Sequence, residues 1–330
     1  MKARGGSDQF GREVWISKAL SRRNLSALCL AEKKDVRWRR TQSFEVWGFE
    51  ETKRRTEVKT VEAKGVETIE ASKYVFDNAG GNAQVRYRGL SDLYDANSIR
   101  HIERRGVERG WSCLEVGGGG GSIASWLCAR VGVTGRVLAT DIDPRFLETL
   151  SYPNLEVRRH DIRREDLPNR QFDLAHVRLV LMHLADPEMA LRRIVEALKP
   201  GGWLVVEEFD CLTFLPDPAV NPSEINLKTR HAFHRVLSAR GVDLRYGRLL
   251  PQKLQANGLV NIGAEASVST YSGKSAGTCF VRFNFEEMRE SMLGSRLISQ
   301  EEFEADLRRI DDQNCLMPLW MMWTVWGQRP

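Results

Sequence analysis

The chain has 330 residues, 42% of them apolar and 28% charged, a composition that supports a buried core and excludes wholesale disorder or a collagen-like repeat. Its formal net charge is +5, but residues 1 to 70 hold 16 basic and 11 acidic side chains, so the whole surplus sits there and the remaining body is balanced. No nucleic-acid partner is expected on that account. The six cysteines (Cys29, Cys113, Cys128, Cys211, Cys279, Cys315) never form a C-x-x-C pair, so neither a zinc site nor a disulfide framework is expected, and no metal. No secretory leader pattern follows Met1 and no uncharged apolar stretch reaches the roughly 18 residues of a membrane span. A cytoplasmic location is the expectation.

Residues 1 to 70 mix the charge clusters Arg37-Trp38-Arg39-Arg40 and Lys53-Arg54-Arg55 with isolated Trp15 and Trp47, without a sustained period of 2 or 3.6. They read as a poorly ordered N-terminal extension, with a basic arm for RNA or phospholipid as the rival reading. Between Leu90 and Val107, apolar residues recur at helical spacing, which predicts an amphipathic helix leading into a domain over residues 71–330. From residue 111 short apolar strands alternate with helical segments. The strands are predicted at Ser112–Val116, Arg136–Thr140, Leu155–Arg159, Phe172–Val177 and Trp203–Glu207, the helices at Ser122–Val131, Pro144–Leu150 and Pro187–Leu198. That rhythm is the mark of a doubly wound, Rossmann-like α/β sheet, with a cofactor-binding core over residues 108–208. Thereafter the rhythm changes. Helical lid insertions are predicted over 209–245 and 281–310, a helix over Leu249–Asn257, a strand over Leu259–Thr270 and a last, antiparallel strand over Leu319–Trp326, completing seven strands.

The first strand runs into five consecutive glycines with the spacing Glu115-x-Gly117-x-Gly119-x-Gly121, directly before a helix. Such a turn lets the backbone approach a ligand closely, and the helix N-terminus behind it offers unpaired N–H groups. The glycines also fit a permissive dinucleotide pattern through Ala124, so they do not choose between cofactors. Glu115 does choose. A pyrophosphate disfavours a carboxylate at that strand end, whereas a cationic ligand group favours it.

Here the chain resembles the class I S-adenosylmethionine-dependent methyltransferases of the bacterial small-molecule type, including the ubiquinone and menaquinone and natural-product enzymes, whose first motif is E/D-x-G-x-G-x-G. Further motifs follow in order. Thr140-Asp141-Ile142-Asp143-Pro144 matches the second-strand end, and the resemblance implies that Asp141 takes both ribose hydroxyls. Arg159-His160-Asp161-Ile162 matches the third, implying that Asp161 meets the adenine amino group, with Ile142 and Ile162 beside the cofactor. Phe172-Asp173-Leu174 through Arg178 resembles the fourth strand, whose exit faces the methionine part, and Leu198 to Glu207 the usual turn and fifth strand. Upstream, Gln84 to Leu90 is similar to a segment that closes over the cofactor, which carries over to Arg86 and Tyr87; the alternative is a helix-entry arginine and a core tyrosine.

S-adenosylmethionine carries an activated methyl group, so the protein chiefly aligns nucleophile, methyl carbon and sulfur. The best base candidate is His183, just beyond the fourth strand, with a packing histidine as the alternative; no catalytic residue is assigned. Glu208 and Asp210 end the fifth strand, and His231 with His234 form an i, i+3 pair that reads as helix packing before metal. The amino-directed [D/N/S]-P-P-[Y/F/W] tetrapeptide is absent, its place reading Val177-Arg178-Leu179-Val180, and so is a Pro-Cys nucleophile motif. Phe214, Phe233, Tyr246, Phe283, Phe285, Met288 and Met292 in the insertions suit lids over an apolar small molecule. The expected function is methyl transfer to an oxygen or carbon of a small-molecule acceptor. The alternatives are an NAD(P)-dependent oxidoreductase, which lacks a Tyr-x-x-x-Lys signature here, and a non-catalytic methyltransferase-like regulator.

Overall fold

The structure, a computed structural model, describes residues 83–213 and 224–330; the extension expected over residues 1–70, and Phe214, lie outside the described residues. Helix α1 (Ala83–Glu103) leads into β1 (Ser112–Val116), α2 (Ser122–Val131), β2 (Arg136–Asp141), β3 (Leu155–Arg159), β4 (Phe172–Arg178), α3 (Pro187–Ala197) and β5 (Leu198–Asp210). Beyond it come α4 (Glu224–Ala239), α5 (Tyr246–Ala256), β6 (Val260–Ser267), β7 (Thr270–Ser272), α6 (Ala276–Glu287), α7 (Arg289–Gly294), α8 (Gln300–Ile310), β8 (Leu316–Pro318) and β9 (Met321–Gln328). The main sheet has seven strands in the order β3-β2-β1-β4-β5-β9-β6. Its first five members are parallel, β9 runs antiparallel to β5, and β6 antiparallel to β9. The central strands β1 and β4 are buried on both faces, as parallel strands under helices must be.

Strands β1 and β3 and helix α2 begin and end where their sequences predict. Others shift by one to three residues at an end, and four differ more. Pro144–Leu150 forms only one 3-10 turn, Leu147–Thr149, because seven residues closed by Ser151 and Pro153 cannot repay helix nucleation. Helix α1 starts before Leu90 and stops at Glu103, where Gly106 (φ +83°) turns the chain in the left-handed region. Strand β5 is more than twice the expected length: Leu198 pairs with Phe172 ahead of a bulge at Lys199–Gly202, and β9 extends the pairing as far as Asp210. The strand expected over Leu259–Thr270 divides into β6, in the main sheet, and β7, which pairs with β8 in a separate ladder.

A polar seam crosses one face of this sheet beneath α1. Glu115 and His176 are register partners on β1 and β4, and Arg178 and Glu207 on β4 and β5, so all four side chains share a face. His176 Nδ1 lies 2.8 Å from Glu115 Oε2 and its Nε2 3.2 Å from Glu207 Oε2. Thr324 of β9 and Asn97 of α1 donate to Glu207 Oε1 at 2.7 and 3.2 Å, and Ser98 donates to Oε2. Arg178 closes the seam by donating to Ser98 Oγ and Asp95 Oδ1, both at 2.8 Å. Burial alone would lower the His176 pKa, but the two carboxylates carry it up to about 9; burial alone would raise Glu207, but His176 holds it at about 2.

Protonated His176 therefore stabilises the fold fully below its unfolded pKa near 6.5, and that contribution is lost as pH rises through about 9. Glu207 contributes above its ordinary carboxylate range and loses its contribution as pH falls through about 2. The melting temperature is expected to fall between pH 7 and 9.5. His176→Gln, which strands two buried carboxylates, should melt well below wild type at pH 7, by on the order of 3 kcal/mol, and show a flatter slope over that window. Parallel slopes in a thermal-melt pH series would count against a charged His176.

Candidate functional site

The carboxyl ends of parallel strands are where an open α/β sheet leaves a crevice. A cavity of about 650 Å³ lies there, lined from one side by residues leaving β1 to β3 and from the other by residues leaving β4 and β5 and by the late helices. The glycine turn forms its floor. Gly117, Gly119 and Gly121 have φ of +68°, +49° and +79°, conformations that favour glycine. A Cβ on Gly119 would stand 2.7 Å from the Tyr87 ring, and one on Gly117 would collide with Val180. Gly117 and Gly119 thus admit close approach, while Gly121, which does not line the cavity, packs on Leu150 and N-caps α2.

Most residues proposed from the motifs meet at this cavity: Glu115, Gly117, Gly119, Asp141, Ile142, Asp161, Ile162, Arg178, Arg86 and Tyr87 all line it. Asp141 ends β2 with its carboxylate oriented by two backbone donors, Gly119 N–H to Oδ2 and Asp143 N–H to Oδ1, each at 2.9 Å. Burial raises its pKa above the usual carboxylate value. Asp161 is gripped by Arg163, whose Nε and Nη2 each donate at 2.8 Å, and that guanidinium lowers its pKa. Tyr87 lies over Gly119 and Gly120 and meets Phe146 edge-on at 5.5 Å, whereas Arg86 pairs with Glu287 of α6 at 3.3 Å.

The other half of the cavity is apolar, built from Met182, Phe209, Leu237, Phe280, Trp320 and Phe233, with the Phe233 ring stacked on Trp320 at 5.4 Å. His183 lines it too. Loss of water around the imidazole, with help from the Arg86 guanidinium, pushes its pKa down to about 4, so it is neutral near pH 7. Glu208 and Asp210 do not line the cavity. Glu208 is fully buried, its Oε1 accepting from the backbone N–H groups of Val180 and Leu181, and burial pushes it up to about 8. Asp210 is held low, against its burial, by Arg248 Nε and Nη2 at 2.6 and 2.8 Å and by Thr213. His234 accepts from the Trp320 indole at 3.3 Å while His231 is exposed, and among the described residues no group of three His, Cys, Asp or Glu could hold a metal.

Of the insertion residues expected to form a lid, Phe233 reaches the cavity; Tyr246, Phe285, Met288 and Met292 are core, and Phe283 does not line it. The reason is helix phase: Phe285 turns away from the cavity to meet the side of Phe233, at 5.2 Å. Sequence reasoning missed His176, Phe280, Asn284 and Trp320. His176 carried a signal, since a histidine inside an otherwise apolar strand needs buried partners; the other three depend on which face of a late element meets the sheet. No helix among the described residues is long and apolar enough to cross a membrane.

A family model described as a methyltransferase domain matches residues 114–206. The ubiquinone/menaquinone biosynthesis C-methyltransferase UbiE of Hydrogenovibrio crunogenus is 30% identical over 156 residues, covering 44% of this chain and 61% of that protein. Methyltransferase str2 of Strobilurus tenacellus is 32% identical over 146 residues, covering 44% and 51%. The chain thus spans about half to three-fifths of the length of these relatives. A solved structure of a putative methyltransferase from Bacillus halodurans overlays with a TM-score of 0.47 at 14% identity, covering 71% of this chain and 99% of that one. Residues 114–206, which take in the acidic glycine motif leaving β1 and run through β4 into β5, are thus similar to a methyltransferase domain.

Proposed function

We propose that residues 71–330 form a methyltransferase domain that binds S-adenosylmethionine and transfers its methyl group to an oxygen or carbon of a small apolar acceptor. The observation that carries this reading is the single cavity in which the acidic motif residues of β1 to β3 face an aromatic half supplied by the last third of the chain. The residues present fit the cofactor. Gly117 and Gly119 bring bare backbone to the cavity in conformations that favour glycine, Asp141 stands preoriented by backbone donors, and about 650 Å³ suits a nucleoside-sized molecule with a small partner. Asp141, which no described side chain neutralises, lines that end beside Glu115 and Asp161, a place for ribose hydroxyls rather than for a pyrophosphate.

In this reading Asp141 takes the ribose hydroxyls, Asp161 and the flanking Ile142 and Ile162 hold the adenine, and Glu115 faces the cationic amino-acid end, with Arg178, Arg86 and Tyr87 around it. When bound, the cofactor supplies a methyl group already activated on a positive sulfur. The chain's own work is to align the acceptor, exclude water with Phe209, Phe233 and Trp320, and take a proton at His183 Nε2 or Nδ1 from the acceptor hydroxyl. A deprotonated hydroxyl makes either its own oxygen or a conjugated carbon the nucleophile; on the carbon route the hydrogen of the methylated carbon leaves as a proton afterwards and the oxygen takes a proton back.

Calorimetry on the full chain should show S-adenosylhomocysteine binding more tightly than NADP; the opposite order would remove the assignment. Asp141→Ala should weaken S-adenosylhomocysteine at least about tenfold with unchanged ellipticity, since two charge-assisted hydrogen bonds are lost. His183→Ala should lower kcat about a hundredfold on a hydroxyl-bearing acceptor and leave S-adenosylhomocysteine affinity intact. An unaltered kcat would return His183 to a packing role.

A further inference from the structure

Helix α6 brings one face to the apolar half of the cavity. Phe280 and Asn284, one turn apart, both line it, and Glu287 of the next turn holds Arg86. Asn284 is 3% exposed, and its carboxamide oxygen has no hydrogen-bond partner among the described residues. A buried carboxamide oxygen without a partner costs stability, so its presence among Phe280, Phe233 and Trp320 asks for a partner that no described residue supplies. His183, from the turn beyond β4, also lines this apolar half. The lining carboxylates, by contrast, all belong to the opposite end, on β1 to β3.

From this juxtaposition we infer that Asn284 is the specificity-determining residue of the acceptor site, receiving the hydroxyl of a ring-bearing apolar acceptor between Phe280 and Trp320. The inference rests on the methyl-transfer reading of the same cavity and deepens it by naming the class of acceptor. A hydroxyl both donates and accepts, so it satisfies a carboxamide whichever of its two polar atoms faces the ligand. A ring fills the space between aromatic walls at little conformational cost. An analogue without the hydroxyl leaves the amide unpaired, and a site that loses a buried hydrogen bond in this way discriminates strongly.

The test uses the full chain saturated with S-adenosylhomocysteine and two probes, 2-naphthol and naphthalene, followed by equilibrium dialysis. Wild type should prefer 2-naphthol about tenfold, the worth of one buried hydrogen bond. Asn284→Leu should abolish that preference, keep S-adenosylhomocysteine affinity, and melt no lower than wild type, because it removes an unpaired amide from an apolar wall. A structural asparagine would behave differently, lowering the melting temperature on replacement. The assignment is overturned if wild type shows no preference for 2-naphthol, or if Asn284→Leu retains it. Failure of wild type to bind S-adenosylhomocysteine would instead overturn the underlying reading of the cavity, so the two failures are distinguishable.

Discussion

The buried ion chain Glu115–His176–Glu207 ties the centre of the sheet to the helix that covers it. Its members come from β1, β4 and β5, and its outer ligands from α1 and β9, so five elements share one set of hydrogen bonds. In a low-dielectric interior such a chain is tolerated only when every charge is paired, which makes the register of the three parallel strands mutually dependent. A one-residue slip of β4 would turn His176 to the opposite face and leave two carboxylates uncompensated. Helix α1 buries Arg86, Ser98 and His101 beside Tyr94 and Ile102, so it is docked by polar ligands as well as by an apolar stripe.

The same constraint reaches the cavity. Glu115 lines it with one end of the seam behind it, and Tyr87, on the helix that the seam anchors, packs on Gly119 and Gly120. The glycine turn is therefore held from two sides, by the second-strand carboxylate of Asp141 below and by α1 above. Rigid support of this kind is what a binding site needs if little reorganisation is to accompany occupancy. The apolar half is built otherwise. Phe233 of α4, Phe280 and Asn284 of α6 and Trp320 before β9 come from segments far apart in the chain, packed as side chains rather than fixed by a backbone motif. Substitution there changes the wall without touching the turn, the division of labour in which variable segments carry specificity on a constant scaffold.

Legibility in the sequence follows this division. The βα ladder from Ser112 to Glu207, the glycine turn and the acidic strand ends at Glu115, Asp141 and Asp161 were readable because each depends on local spacing: strand, turn and helix signals within about thirty residues. Gly121 belongs to the motif yet serves packing on Leu150, which only the path of the following turn reveals. The segment Pro144–Leu150 has helical composition, but its length and its closing Ser151 and Pro153 limit it to one turn, a case where propensity yields to cooperativity.

What the sequence by itself determined is the fold class, the succession of the parallel strands along the chain and the residues at the exits of β1 to β3, since these arise from periodicity and short-range motif chemistry. The tertiary structure alone decided the length of β5, set by its antiparallel partner β9, and the division of the expected Leu259–Thr270 strand between two sheets. It likewise decided that His176 bridges two carboxylates, that Phe285 is core while Phe233 and Phe280 meet the cavity, and that the Asn284 carboxamide oxygen is left without a partner among the described residues. Each of these is a contact between residues dozens to hundreds of positions apart, and the face a helix presents at such a contact is fixed by packing against the whole core rather than by its own sequence pattern.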